Sequence, residues 1–174
     1  MKTPEVMLNL YKTLVRPHLE YCICAWSPRC QKDKKLLEKV QHRFTRMITS
    51  LKSLQYQARL QKLGLWTLEE RRNRADLIEV FKMAHRFAAI RLTDMFQIDT
   101  SGRTRGHSLN LVKCRCNKDI RKFFFPHRVV SEWNMLNNDS VTAKTVNSFK
   151  TKLERERAKK MGVFWADVCW TSRS

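Results

Sequence analysis

Glycine and proline are scarce in this sequence, with four residues of each in a chain of 174. All-β sandwiches and glycine-rich phosphate-binding sites need more turn-forming residues than that, so the composition argues against both. No apolar run approaches the roughly 18 residues that a transmembrane helix requires. Together with an ordinary hydrophobic share of 43%, these absences predict a mainly α fold. We expect an antiparallel helical bundle with a smaller mixed C-terminal module.

Sequence patterns of common catalytic sites are missing as well. No GxxxxGKS, GxxxxGKT, GxGxxG, GxSxG or HExxH string occurs, and such strings mark nucleotide-binding, acyl-transfer and metalloprotease sites. No two aspartates are adjacent, although a two-metal polymerase centre needs clustered carboxylates to hold its cations. We therefore expect no catalytic centre and no cofactor in this chain.

Acidic residues are outnumbered, since 16 Asp and Glu face 35 Lys and Arg and give a formal net charge of +19. Such an excess repels itself in the folded state and favours a polyanionic partner. Nucleic acid is the commonest partner of this kind, and a membrane surface is the competitor. Because the N-terminus lacks the pattern of a signal peptide, we expect an intracellular chain, in the nucleus or cytoplasm, without a membrane partner.

Six cysteines are present, and in a reducing compartment they are not expected to form disulfides. Two Cys-x-Cys pairs are too closely spaced for a zinc finger, in which about two to four residues separate the cysteines. A histidine could complete a metal site only if the fold brought it to one of these pairs, so no structural metal is expected. The pairs are Cys22 with Cys24 and Cys114 with Cys116, and the histidines are His18, His107 and His127.

The clearest helical periodicity lies in residues 32–51. At about 100° per residue, seven apolar side chains of this stretch share about a third of the helical wheel, and this arc is expected to pack against the core. Basic side chains occupy a nearly opposite arc. The apolar residues are Leu36, Leu37, Val40, Phe44, Met47, Ile48 and Leu51, and the basic residues are Lys35, Lys39, His42, Arg43 and Arg46.

The basic arc is the best candidate for a ligand-binding surface. Residues 29–62 hold ten basic and two acidic side chains, whereas a helix face that is merely solvated usually mixes its signs to gain favourable pairs. We therefore predict phosphate contacts by Lys35, Lys39, Arg43 and Arg46. A solvated helix face is the alternative.

Further helices are predicted from the residues at their ends. Thr3 and Pro4 suit the start of a first helix, which Pro17 interrupts or kinks. A short helix is expected to end at Gly64, which can act as a C-terminal cap. The next helix is expected to begin at the capping box Thr67–Glu70.

Four arginines form a second set of candidate nucleic-acid contacts. Arg71 and Arg72 lie in the first turns of a predicted helix, where the helix dipole disfavours cations, so a phosphate or an acidic neighbour is expected beside them. An ion pair with a glutamate of the same turn is the equal alternative. Arg103 and Arg105 lie in a polar loop punctuated by glycine.

The sequence changes character after Asp94. Residues 108–113 alternate apolar and polar side chains, as in a short strand, and a last, basic helix is predicted to begin near Thr145. We place the domain boundary so that residues 1–92 form a helical domain. Residues 93–174 then form the mixed C-terminal module with its basic terminal helix.

Tryptophan bears on the nucleic-acid question, because an exposed aromatic ring can stack on a base. Trp26 and Trp66 lie in the N-terminal half of the chain, and Trp133 lies in the C-terminal half. The large apolar area of the indole makes a core position the expected role of all three. Base stacking is the alternative.

Five strings recur in the order and spacing of a known family. They are LYKTLVRPHLEY (10–21), LLEKVQHRFTRM (36–47), LQKLGLWTLEERR (60–72), RTRGHSL (103–109) and FFPHRVVSEWN (124–134). Each string is weak by itself, whereas their order and spacing make the match specific. Together they resemble the C-terminal part of a non-LTR (LINE-type) retrotransposon reverse transcriptase, of the jockey and chicken-repeat kind, over about residues 4 to 162.

The resemblance implies a place within a larger enzyme. In this family a palm domain with metal-binding aspartates precedes a helical thumb that grips the template–primer duplex. Residues 4 to about 90 are similar to that thumb, and the remainder is similar to the family's C-terminal extension. The implied function is therefore that of a fragment of an RNA-directed DNA polymerase. The implied partners are RNA–DNA or DNA duplex, RNA, and the missing palm.

Two departures from the family pattern affect these expectations. Thr49-Ser50-Leu51 replaces a frequent Pro-Gly turn, so the basic helix is expected to run on. Asn137 stands where proline is frequent. Two other functions also fit the composition: a stand-alone basic RNA- or DNA-binding protein, and a structural helical domain that binds an acidic protein partner.

Overall fold

Helices form nearly all the regular structure of residues 3–100 and 106–159, which are the residues that the computed structural model describes. The predicted mainly α fold is confirmed. None of the described helices is long and apolar enough to cross a membrane. The chain divides into two units, residues 1–72 and 73–174.

The first unit begins with α1 (Pro4–Leu10), a π-helical turn and α2 (Arg16–Leu19). Thr3 caps α1 as predicted, because its hydroxyl accepts from the Val6 amide at 3.4 Å. Pro17 interrupts the helix as predicted: it has no N–H for the carbonyl four residues earlier, and the preceding turn widens into the π-helical segment Tyr11–Val15.

Three more helices follow: α3 (Gln31–Met47), α4 (Tyr56–Leu63) and α5 (Leu68–Ala84). Gly64 ends α4 at a φ of 59°, a left-handed conformation that glycine adopts without a Cβ clash. The predicted capping box opens α5, since the Thr67 amide donates to Glu70 and the Glu70 amide donates to Thr67 Oγ1, both at 3.2 Å. Both of these helix boundaries are confirmed.

The basic helix stops earlier than the sequence predicts. Ile48 leaves the helical conformation with a ψ of 106°, and Thr49–Leu51 forms a separate 3₁₀ turn. The expectation that the helix runs on to residue 51 is therefore wrong. Ile48 and Leu51 are both buried, which shows that apolar packing can continue the helical pattern of a sequence after the helix itself has ended.

The core of the first unit forms around two stacked rings. Tyr11 and Phe44 lie parallel, with ring centroids 4.2 Å apart and an interplanar angle of 8°. Aliphatic side chains complete the core around them. The buried members of this cluster are Tyr11, Phe44, Ile48, Leu51, Leu60 and Leu65.

The buried arc of α3 differs from the predicted one. Phe44 is buried as expected, whereas Leu36 and Met47 are each 64% exposed and Val40 is also exposed. Polar residues occupy their place, because Gln41 and Thr45 are the other buried side chains of the helix. At about 100° per residue, the buried arc is rotated by roughly 70° from the predicted apolar arc.

The second unit continues from α5 into short helices and one longer helix. They are α6 (Leu92–Met95), α7 (Asp119–Lys122), α8 (Phe125–Arg128), α9 (Val130–Asn134), α10 (Asn138–Val141) and α11 (Val146–Lys159). Thr145 caps α11 through a 3.1 Å hydrogen bond from the Ser148 amide, as its predicted start requires. Phe149 of α11 is buried and stacks on Phe81 with centroids 4.3 Å apart.

The predicted strand over residues 108–113 is not found, and no described residue lies in a strand. Leu111 instead forms one isolated antiparallel bridge with Ile98. The Asn134 side chain forms two hydrogen bonds with the backbone of Leu111. It accepts from the Leu111 amide at 2.9 Å and donates to the Leu111 carbonyl at 2.8 Å. A side-chain amide thus takes the place of a second strand, and the expected mixed module is not seen in the described part of the chain.

The three tryptophans have different environments. Trp133 is fully buried, and its indole N–H donates to the Leu109 carbonyl at 2.8 Å. Trp66 is half-buried. Trp26 is 45% exposed, and its indole N–H is held by the Tyr21 carbonyl at 3.1 Å, so the expectation that it lies in the core is wrong.

Candidate nucleic-acid interface

A buried hydrogen-bond network fixes the orientation of α3. Gln41 accepts from the Tyr11 hydroxyl at 2.8 Å and donates to the Trp66 carbonyl at 2.9 Å and to the Tyr56 hydroxyl at 3.0 Å. Gln41 is fully buried, so breaking any of these bonds would leave a desolvated polar group without a partner. The helix therefore has one favoured rotation about its axis.

Glu38 extends the network to the start of α5. Its carboxylate accepts from the Tyr56 hydroxyl and, at 2.9 Å, from the Leu68 backbone amide. Burial raises the pKa of Glu38 above its ordinary value, while the two hydrogen bonds and Arg72 act against that shift. Glu38 thus satisfies one of the unpaired amides at the N-terminus of α5 and joins that helix to α3.

This orientation turns the predicted phosphate contacts to solvent. Lys35, Lys39, Arg43 and Arg46 are all exposed on the same side of α3. Lys39, Arg43 and Arg46 form no salt bridge with any residue in 3–100 or 106–159. Their charges are therefore not neutralised by described carboxylates and are directed toward a ligand or solvent.

Apolar side chains lie beside these cations. The same rotation that buries Gln41 and Thr45 leaves Leu36, Val40 and Met47 on the exposed side of the helix. The outer face of α3 is therefore a mixed surface, on which ammonium and guanidinium groups flank aliphatic groups. Such a surface can bind phosphate and also contact the less polar sugar or a covering protein.

His42 does not add to this positive charge. Burial lowers the pKa of its imidazole, and the neighbouring Arg59 and Arg46 lower it further. The Arg59 guanidinium lies 3.1 Å from His42 Nε2. Because the ordinary pKa of histidine is already about 6.5, His42 is neutral at neutral pH, although it shares the basic arc in the sequence.

The two arginines of α5 from the second set of candidates, Arg71 and Arg72, contact protein groups instead. Arg71 Nη2 donates to Glu20 Oε2 at 2.9 Å, and its Nε contacts the other oxygen of the same carboxylate. Arg72 is 3% exposed and donates to the Leu19 carbonyl at 3.4 Å. The acidic neighbour expected for Arg71 thus exists, but it is Glu20, the residue that follows α2, and not a glutamate of the same turn of α5.

Arg103 and Arg105 lie outside the described residues, as does every residue after 159. Within α11, acidic residues engage neighbours of the second unit: Glu154 pairs with Arg74 at 3.0 Å. Glu156 accepts from the Asn137 side chain at 2.7 Å. The structure therefore brings together only the four predicted residues of α3.

One basic surface was not singled out from the sequence. Lys113, Arg115 and Lys122 line a cavity of the second unit, in which Cys116 Sγ lies 3.2 Å from His127 Nδ1. A signal was present, because residues 113–122 hold five basic side chains and one acidic side chain. The irregular backbone of this stretch gives no helical periodicity that would place the charges on one face.

Neither a family model, a curated protein nor a solved structure matches this chain. The resemblance to non-LTR reverse transcriptases therefore rests on the five sequence strings alone. In the part of the chain that the structure describes, no group of three His, Cys, Asp or Glu side chains could hold a metal ion. The case for a function consequently rests on the exposed charge of α3.

Proposed function

We propose that this chain is a nucleic-acid-binding thumb and C-terminal fragment of a retrotransposon RNA-directed DNA polymerase. It grips template–primer duplex through phosphate contacts and has no catalytic centre of its own. In this proposal residues 1–92 form the thumb, an antiparallel helical bundle, and the remaining residues form the C-terminal extension. The observation that carries the proposal is the row of exposed cations on α3.

The spacing of these cations suits a nucleic-acid backbone. Lys35 and Arg46 are eleven residues apart on α3, which at about 1.5 Å per residue gives roughly 16 Å along the helix axis. One strand of a duplex presents a phosphate about every 3.4 Å along its axis, so this row spans about five phosphates. Contacts of this kind position a protein on the backbone without reading bases.

A second observation supports a covering domain. Val6, Leu10 and Leu14 recur every four residues along α1 and the π-helical turn, and all three are more than half exposed. Contiguous apolar surface of this kind marks contact with another protein surface. The palm of the parent polymerase is the partner that the proposal assigns to this face.

Binding of a primer–template is the experiment that tests the proposal. The affinity of the chain for an RNA–DNA primer–template, for single-stranded RNA and for RNA duplex is measured by fluorescence anisotropy between about 50 and 200 mM salt. We expect log affinity to fall linearly with log salt, with a slope of several units, and the RNA–DNA duplex to bind tightest. Affinity that does not change with salt would contradict the phosphate-contact model.

The same measurement separates the alternatives. A stand-alone nucleic-acid-binding protein predicts the steep salt dependence without a preference for primer–template. A structural domain that binds an acidic protein predicts only weak binding to all three nucleic acids.

Primer extension tests the proposed absence of a catalytic centre. The purified chain should add no nucleotides to a primer with Mg²⁺ or Mn²⁺. Extension by a preparation free of other polymerases would contradict this part of the proposal.

A further inference from the structure

The basic stretch before α8 folds back on itself. Residues 113–122 carry five basic side chains and one acidic side chain. The Lys118 carbonyl accepts from the amides of Arg121 and Lys122, each at 3.1 Å, and this closes the single turn of α7. The turn returns Lys122 toward the extended residues that precede it, so charges from two parts of the stretch meet at one place.

These charges surround a cavity of about 290 Å³. None of the described side chains that line it is a carboxylate, so the cavity is positively charged. Its size admits a phosphate group together with bound water. The lining residues are Lys113, Cys114, Arg115, Cys116, Lys122 and His127.

Two of the three cations of the cavity contact neutral groups. Lys113 Nζ donates to the Ser131 hydroxyl at 2.7 Å, and Lys122 Nζ lies 5.8 Å from the centre of the Phe123 ring. Neither partner cancels a positive charge. The side chains are thus positioned while their charge stays available to an anion.

Two exposed aromatic residues follow the cavity-lining Lys122 in the sequence. Phe124 is 52% exposed, and Phe123, whose ring Lys122 covers, is also exposed. An aromatic ring next to a positively charged groove is the combination that binds single-stranded nucleic acid, because every unpaired base offers a face for stacking. A flat lipid surface fits this geometry less well, since here the cations line a concavity instead of projecting from a face.

We propose that the cavity and Phe124 form a binding site for single-stranded nucleic acid. One backbone phosphate occupies the cavity between Lys113, Arg115 and Lys122, and an adjacent base stacks on Phe124. The site shares nucleic acid as its partner class with the proposed function. It uses a different surface, in the other unit, and does not depend on α3.

Charge reversal with a matched control tests the site. The full chain is titrated with a fluorescent oligo-dT of about 12 nucleotides, comparing Arg115→Glu/Lys122→Glu with Lys144→Glu/Arg155→Glu. Both double variants reverse one exposed lysine and one exposed arginine of the second unit. We expect the cavity variant to lose at least about tenfold more affinity than the control. Equal losses would overturn the proposal.

Phe124→Ala tests the stacking contact. Because the change leaves the charge intact, we expect about a tenfold loss of affinity for oligo-dT and little change for a blunt DNA duplex, whose bases are already stacked. An equal loss for both ligands, or none for oligo-dT, would contradict a stacking role. Circular dichroism of each variant confirms that the fold is retained.

Thiol protection tests the site in the unchanged protein. Cys116 lines the cavity, whereas Cys30 is exposed in the first unit. Saturating oligo-dT should slow the reaction of Cys116 with iodoacetamide, mapped by mass spectrometry, and leave that of Cys30 unaffected. If oligo-dT left the reaction rate of Cys116 unchanged, the site would be contradicted even if a variant failed to fold.

Two comparisons separate this site from other outcomes. Lys39→Glu/Arg43→Glu should weaken duplex binding and leave the protection of Cys116 by oligo-dT intact, so α3 and the cavity can fail independently. Vesicles containing phosphatidylserine test the lipid alternative. If the cavity variant loses vesicle binding and keeps its affinity for oligo-dT, the cavity belongs to a membrane contact and the proposal is wrong.

Discussion

The basic residues of α3 and those at the start of α5 look alike in the sequence but differ in their surroundings. On α3, Lys39 and Arg43 are exposed and have no carboxylate partner among the described residues. On α5, Arg71 holds the Glu20 carboxylate and Arg72 is buried. Clustered positive charge therefore has two distinct uses in one chain. On α3 it is available to a ligand, and on α5 it stabilises the fold.

What separates the two sets is an acidic residue that is distant in sequence. Glu20 lies on the segment after α2 and reaches Arg71 only once the unit has folded. A count of charges over a short stretch of sequence includes only the acidic residues of that stretch. It therefore omits a distant partner such as Glu20. An arginine can therefore belong to a strongly basic stretch and still be neutralised, which is why burial and partners must be known before a cation is assigned to a binding surface.

The inner side of α3 provides the largest expected effect. Phe44 is buried and stacked on Tyr11, so Phe44→Ala should lower the free energy of unfolding by about 3–5 kcal/mol through the cavity that it leaves. Leu36→Ala is the matched control on the outer side, where a change of about 0.5 kcal/mol or less is expected. Urea unfolding of both variants gives the comparison, and a larger loss for Leu36→Ala would show that the predicted apolar arc, and not the observed one, faces the core.

Neutralising one cation in each set sharpens the contrast between the two helices. Arg72→Met should lower the free energy of unfolding by about 1–3 kcal/mol, because the Leu19 carbonyl and Glu38 lose a buried positive partner. Lys39→Met should leave stability within about 0.5 kcal/mol and reduce the salt slope of nucleic-acid binding by about one. The reverse pattern, with Lys39 affecting stability and Arg72 affecting binding, would exchange the roles assigned to the two helices.

The link between the helices predicts a dependence of stability on pH. Burial raises the pKa of Glu38, so the folded state favours its protonated form more than the unfolded state does. The contribution of Glu38 to stability is then fully present below its ordinary pKa and is lost as pH rises through the raised value. Unfolding of wild type and Glu38→Gln at several pH values isolates this contribution. The stability of wild type relative to the variant should increase as pH falls from neutrality, and the opposite trend would contradict the shift.

Helix boundaries were predictable where one or two neighbouring residues determine them. Thr3, Gly64 and the Thr67–Glu70 box act through hydrogen bonds or backbone angles within a few residues, so their effect is independent of the rest of the fold. The strand predicted over 108–113 depended on a partner strand. Its place is taken by the Asn134 side chain, which no alternation pattern can reveal.

The rotation of α3 could not be predicted from hydrophobicity. The apolar arc containing Leu36, Val40 and Met47 is the natural packing face by periodicity. Gln41 overrides it, because its amide satisfies three hydrogen bonds to other segments and so favours burial of that side of the helix. The four predicted cations are nevertheless exposed, although the predicted rotation of α3 was wrong, because they lie on the side of the helix opposite Gln41.

The salt dependence of nucleic-acid binding by Lys39→Glu/Arg43→Glu tests most directly whether the basic side of α3 contacts phosphates. Both side chains are exposed on α3, so the fold should be retained, and Lys52→Glu/Lys62→Glu provides an exposed double reversal outside α3. If α3 grips the phosphate backbone, the Lys39/Arg43 variant should bind primer–template several-fold to several hundred-fold more weakly than the control variant, with a salt slope shallower by about two units. Equal affinity and equal slope in the two variants, with the fold intact, would show that the basic side of α3 is only solvated.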